Sequence, residues 1–153
     1  MWMMRQKRNT PEGWTRVGAK VLVVDDEPAV RRMAYHLLSE LGYRVFEAGD
    51  GAEALAVLSM PGTVDLVLCD VVMPRMDGVT LLREIRLRWP GQRVVLMSAH
   101  PAEVMVRHGL AEADVPFLSK PFTRDELAAI VAAELGRVPG VERRVRNGED
   151  RRR

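Results

Sequence analysis

Apolar runs of strand length recur along the chain, and four of them break off at a polar residue. Ala19–Val24 is apolar apart from Lys20 and stops at Asp25-Asp26; Val64–Cys69 is broken only by Asp65 and leads into Asp70. Arg93–Met97 leads into Ser98, and Val115–Ser119 into Lys120-Pro121. Such short runs, bounded by turn signals, predict buried strands. Tyr43–Ala48 instead alternates polar and apolar, as a strand nearer a sheet edge does. Between the runs the period changes to that of a helix. Pro28 suits a first helical turn, Val30, Met33, Ala34, Leu37 and Leu41 make one stripe, and Gly42 ends it. Asp50 and Glu53 form a capping box before Ala54, Leu55 and Leu58, and Asp77-Gly78 opens a helix through Leu81, Leu82 and Ile85 to Pro90-Gly91. Pro101–His108, ended by Gly109, supports only a short and poorly anchored helix. Thr123 and Glu126 form a second capping box before Leu127, Ile130, Val131 and Leu135, closed by Gly136.

Five strands alternating with five helices predict an α/β architecture, a doubly wound parallel sheet covered on both faces. At 153 residues there is room for one domain, spanning 19–136, and the sequence carries no internal repeat. Residues 1–18 read as a flexible basic arm, with Trp2 and Trp14 out of place in it, and 137–153 as a flexible Arg-rich tail.

Composition changes the picture at one point. The formal charge of +2 and a pI near 9.0 suggest a nucleic-acid partner. Yet residues 21–136 hold 11 basic against 17 acidic side chains, so the predicted domain is acidic and only the ends are basic. Basic ends are ordinarily solvated. Cys69 is the one cysteine, which excludes an internal disulfide and fits a reducing compartment; inside an apolar run it should be buried and inert. No stretch has the length of a membrane span and no apolar core follows Met1–Arg5, so a cytoplasmic protein is expected.

In doubly wound sheets ligands bind beyond the carboxyl ends of the strands. Asp25, Asp26, Asp70, Ser98 and Lys120 all fall there. Each alone is explained by helix capping or surface exposure. Together, three converging carboxylates need a cation, and a hard divalent ion, Mg²⁺ before Ca²⁺, is suited to oxygen ligands. Lys120 is the only Lys between 21 and 136, a compact point charge for a phosphoryl oxygen. Ser98 adds a hydroxyl. The set suggests a carboxylate nucleophile that forms an aspartyl phosphate, Asp70 being placed for it and Asp25 and Asp26 for the metal.

With those residues in view, the sequence resembles a bacterial response-regulator receiver domain of two-component signalling. The resemblance rests on Val21–Pro28 with Asp25-Asp26, on Asp70–Gly78 with Pro74 and Asp77, on Met97-Ser98-Ala99, and on Phe117–Phe122 with Lys120-Pro121. Val106–Gly109 and Val115–Leu118 are further similar to receivers joined to hybrid histidine kinases. The resemblance implies a flavodoxin-like sheet of order 2-1-3-4-5 and a cis Lys120–Pro121 bond. It implies that Asp70 accepts phosphate from a histidine kinase or phosphotransfer protein. It implies Mg²⁺ held by Asp26, Asp70 and the Val72 backbone carbonyl with Asp25 close by, and Ser98 and Lys120 on the phosphoryl group. Ser98 and Phe117 would form the switch, Phe lacking the hydroxyl of the Tyr that many members carry. By the same analogy Val72 and His100 flank the phosphoryl site and tune phosphate lifetime, while His36 and His108 read as ordinary residues.

Two other readings compete. A phosphatase of the haloacid-dehalogenase type needs an acid two positions after its nucleophile, where this chain has Val72. A phosphorylation-independent interaction module would have no use for Asp70 and Lys120. No DNA-binding or catalytic output module fits into 137–153, so the expected output is contact with a downstream protein, by a free-standing receiver, a phosphate sink or a relay station beside a hybrid kinase.

Overall fold

The computed structural model describes residues 18–111 and 113–136. In chain order these form β1 (Lys20–Val24), α1 (Pro28–Glu40), β2 (Arg44–Ala48), α2 (Gly51–Ser59), β3 (Leu66–Asp70), α3 (Gly78–Arg88), β4 (Val94–Ser98), α4 (Pro101–His108), β5 (Phe117–Ser119) and α5 (Arg124–Leu135). The strands form one parallel sheet of order β2-β1-β3-β4-β5. Both expectations for the fold hold. The Trp2 and Trp14 reading and the two basic ends lie outside the described residues.

The apolar runs become the three central strands because only there are both faces covered. β3 and β4 are buried at every position, whereas β2, at one edge, alternates. Side-chain alternation splits the core in two. Leu22, Val24, Val67 and Leu96 face α2 and α3 through Ala54, Leu58, Leu82 and Ile85. Val21, Val23, Leu68 and Met97 face α1 and α5 through Ala34, Leu38, Leu127 and Val131. A fully buried Leu or Val contributes roughly 1.5–3 kcal/mol, so the central strands are the stable base of the site that follows them.

Three local expectations shift. The stripe on α1 runs through Ala34 and Leu38, and Met33 is 43% exposed, because i, i+4 spacing carries the buried line past it. Asp50 caps α2 by accepting from the Glu53 N–H (2.8 Å), but the Glu53 carboxylate reaches the Gly49 N–H (2.6 Å) instead of completing a box with Asp50. The box of Thr123 and Glu126 on α5 is complete. β5 begins at Phe117, two residues later than expected: Pro116 has no N–H for the ladder and contributes only its carbonyl, to the Leu96 N–H at 3.0 Å. None of the residues of α4 is buried, which agrees with its weak pattern. Among the described residues no helix is long and apolar enough to cross a membrane.

Candidate functional site

Strand order reverses between β1 and β3, and a crevice opens beyond their carboxyl ends. Asp25 follows β1 and is fully buried; its carboxylate accepts the Glu27 N–H (2.9 Å), and its N–H is bonded to the Ala48 carbonyl (3.1 Å). Asp26, next in the chain, is exposed to solvent. Asp70 ends β3, with a carboxylate oxygen within 4.8 Å of one from each of Asp25 and Asp26. Lys120 follows β5, where its N–H donates to the Ser98 carbonyl (2.9 Å) and the bond to Pro121 is cis. Its ammonium turns back across β4 to donate to Asp70 Oδ1 at 2.9 Å and Asp25 Oδ2 at 3.2 Å. Ser98, buried at the end of β4, accepts the His100 N–H at 2.9 Å and has its own O–H to donate.

Burial pushes the Asp70 carboxyl above the ordinary carboxylate range; the Lys120 hydrogen bond works against this, and repulsion from Asp25 adds to it. Lys120 is raised as well: burial disfavours its charge, but the bonds to Asp70 and Asp25 outweigh that. The site therefore holds more negative charge than one ammonium offsets. Cys69 beside it is buried, as expected, and is driven upward by burial and then by the neighbouring carboxylates, so it stays a thiol.

A groove of about 420 Å³ adjoins Asp70 between the β3–α3 loop and α4, with Val72, Asp77, Ser98, His100, Glu103 and Arg107 on its walls. Val72 is 77% exposed. Phe117 is half-buried, pairs in register with Leu96, and packs on the same core cluster as Val104 of α4. His36 is exposed on α1.

A family model for the response regulator receiver domain matches residues 21–132. The chain belongs to that family. This receiver is 44% identical over 114 residues to the sensor kinase CckA of Brucella abortus, covering 74% of the present chain but only 12% of the kinase. The crystal structure of the receiver domain of the hybrid histidine kinase CckA is similar at 38% identity and a TM-score of 0.64, over 76% of this chain and 99% of that one. The Thermotoga maritima response regulator TrrA, solved with Mg²⁺ and BeF, is similar at 32% identity and a TM-score of 0.64, over 75% of this chain and 97% of that one.

Two supports of the receiver's pocket escaped the sequence reading. Arg31 on α1 donates to the Asp25 carbonyl (2.7 Å) and to Glu47 (3.1 Å), tying the β1–α1 loop to β2. An Arg next to Val30 of the helix's apolar stripe is the only trace of this in the sequence. Gly78 is the second. Its N–H donates to the Val71 carbonyl (2.8 Å), and a Cβ built on it would lie 2.3 Å from the Asp70 carbonyl oxygen. The Asp77-Gly78 pair was legible as a helix start, and Asp77 does cap α3 through the Thr80 N–H at 2.8 Å. The close approach of Gly78 to β3 was not.

Proposed function

We propose that this receiver takes a phosphoryl group onto Asp70 from the phosphohistidine of a histidine kinase or phosphotransfer protein. The observation that carries the reading is the Lys120 ammonium reaching both Asp70 and Asp25 from β5, two places from β3 and three from β1. In the transfer the P–N bond to imidazole breaks and a bond from an Asp70 carboxylate oxygen to phosphorus forms, a step that needs positioning and charge compensation more than acid–base catalysis. Lys120 and Ser98 donate to the phosphoryl oxygens. Asp25, Asp26, Asp70 and the Val72 carbonyl suit a hard cation, and the clustered carboxylates are the kind of donor set Mg²⁺ takes. The ion, when bound, supplies the positive charge that Lys120 alone lacks. Ser98 and Phe117 pass the change to α4, which has no buried residue to resist it, and so to a downstream protein. A cytoplasmic setting fits these partners. Val72 in place of an acid leaves no group for turnover as a phosphatase.

The test is incubation with Mg²⁺ and a small acyl phosphate, then measurement of hydroxylamine-labile phosphate. About one phosphate per chain at Asp70 supports the reading; an unlabelled protein that has bound Mg²⁺ ends it.

Mg²⁺ should raise the melting temperature, and by less as the solution is acidified. Asp70 keeps its proton to higher pH than an ordinary carboxylate, so protons begin to compete with the metal above the usual carboxylate range. A thermal shift series with and without EDTA between pH 5 and 8 checks this; an increment independent of pH contradicts it.

Lys120→Ala should destabilise the metal-free protein by about 2 kcal/mol. Removing one partner of a buried pair costs roughly 3–5 kcal/mol, and water reaching this partly exposed site reduces that. Urea denaturation checks the loss, and Mg²⁺ should restore most of it. Labelling should survive better than switching, read as hydrogen exchange in Pro101–His108 with and without phosphate.

A further inference from the structure

A second groove, of about 340 Å³, lies beside the middle of β2, toward the amino ends of β1 and β3, whereas the acidic pocket lies beyond the carboxyl ends. Lys20, Phe46, Glu47, Val57, Met60 and Val64 line it, Glu47 being held by Arg31. It is apolar and open: Phe46 is 38% exposed and Met60 62%. It lies beside β2, an edge strand, where exposed apolar side chains invite association unless something covers them.

The preceding chain enters beside this groove. The Gly18 N–H is bonded to the Gly42 carbonyl (3.1 Å), and Lys20 is tied on both sides to Asp65, next to Val64: Lys20 N–H to the Asp65 carboxylate and Asp65 N–H to the Lys20 carbonyl, each 2.8 Å. The Lys20 ammonium lies over Gly62, 3.8 Å from where a Cβ would stand, at the groove wall. Trp14 is four residues before Gly18, a reach of about 14 Å for extended chain. It stands in a largely polar segment, Pro11-Glu12-Gly13-Trp14-Thr15-Arg16, where Val17 is the one apolar side chain close to the indole in sequence.

We propose that Trp14 docks its indole in this groove, on Phe46, Val57 and Met60, with the Lys20 ammonium against the ring face. The volume suits one aromatic side chain, and a cation over an indole is a favourable pairing. The arm then covers the apolar flank of β2 whatever the state of Asp70, so the inference stands independently of the phosphorylation reading.

The test uses the full chain with Trp2→Phe and Trp89→Phe, leaving Trp14 as the sole indole. Its emission should lie to the blue of the guanidine-unfolded chain and resist acrylamide quenching, and Met60→Glu should shift both toward the unfolded values. Emission matching the unfolded chain, or no response to Met60→Glu, overturns the proposal. Trp89 packs against the core and its replacement can unfold the protein, so a second measurement keeps the native tryptophans. The pair Thr15→Cys and Met60→Cys is oxidised at high dilution, with Cys69 buried out of reach. A disulfide within one chain is expected. A disulfide joining two chains, which would mean docking onto a second copy, or no disulfide at all, overturns it.

Discussion

Asp70→Asn is expected to abolish hydroxylamine-labile phosphate while raising the melting temperature of the metal-free protein at neutral pH. The two effects have one cause. The folded protein surrounds Asp70 with buried surface and two further acids, and its carboxyl is held above the ordinary carboxylate range. An acid with a raised folded pKa binds its proton more tightly in the fold than in the unfolded chain. Its contribution to stability is therefore complete below the unfolded pKa and lost as pH rises through the folded one. At neutral pH the ionised carboxylate is a net cost, which the neutral amide avoids while still accepting from Lys120. Asn has no carboxylate oxygen to bond phosphorus, so labelling falls to background. Melting curves at pH 5 and 7.5 without metal check the sign: the gain of the variant should grow with pH. Labelling that persists in Asp70→Asn would move the acceptor elsewhere, and a variant less stable than wild type at pH 7.5 would contradict the electrostatic account.

The same electrostatics explain why so much of the site could be read from sequence. Asp25, Asp70, Ser98 and Lys120 each follow directly on a strand run, so once the runs are recognised as parallel strands their carboxyl ends must share one edge of the sheet. The pairing of Lys120 with both Asp25 and Asp70 follows from charge once the strands share one sheet edge, although β4 stands between β5 and β3. What sequence could not rank was the environment of each. Asp25 and Asp26 are chemically identical and adjacent, yet one is fully buried and the other exposed, because the Ala48, Glu27 and Arg31 bonds all fall on Asp25. The Ala48 bond joins residues 23 positions apart, and no local pattern encodes it. Met33 was misplaced for a related reason: a stripe of five apolar residues is wider than the face that the sheet can cover, and only tertiary packing decides which member is left out.

Gly78→Ala should be the most damaging single-methyl change in the pocket, costing on the order of 3 kcal/mol. Extra atoms forced into packed cores usually cost about 1–3 kcal/mol when side chains can shift. Here nothing can shift cheaply: the added Cβ would meet the Asp70 carbonyl oxygen at 2.3 Å and the Val71 Cα at 2.8 Å, both backbone. Its φ is not in the left-handed region, so the penalty is the close approach itself and not the conformation. Relief requires α3 to draw back from the end of β3, which breaks the Gly78 N–H bond to the Val71 carbonyl and turns the Asp70 backbone. The Asp70 carboxylate and the Val72 carbonyl would then move together. Urea denaturation should show the stability loss, and labelling by the acyl phosphate should fall even at temperatures where the variant remains folded by circular dichroism. Gly51→Ala provides the control: its Cβ would meet only the flexible Met76 side chain, at 2.5 Å from the sulfur, which can swing aside. A Gly78→Ala protein as stable and as readily labelled as Gly51→Ala would show that the contact between α3 and β3 yields without disturbing Asp70.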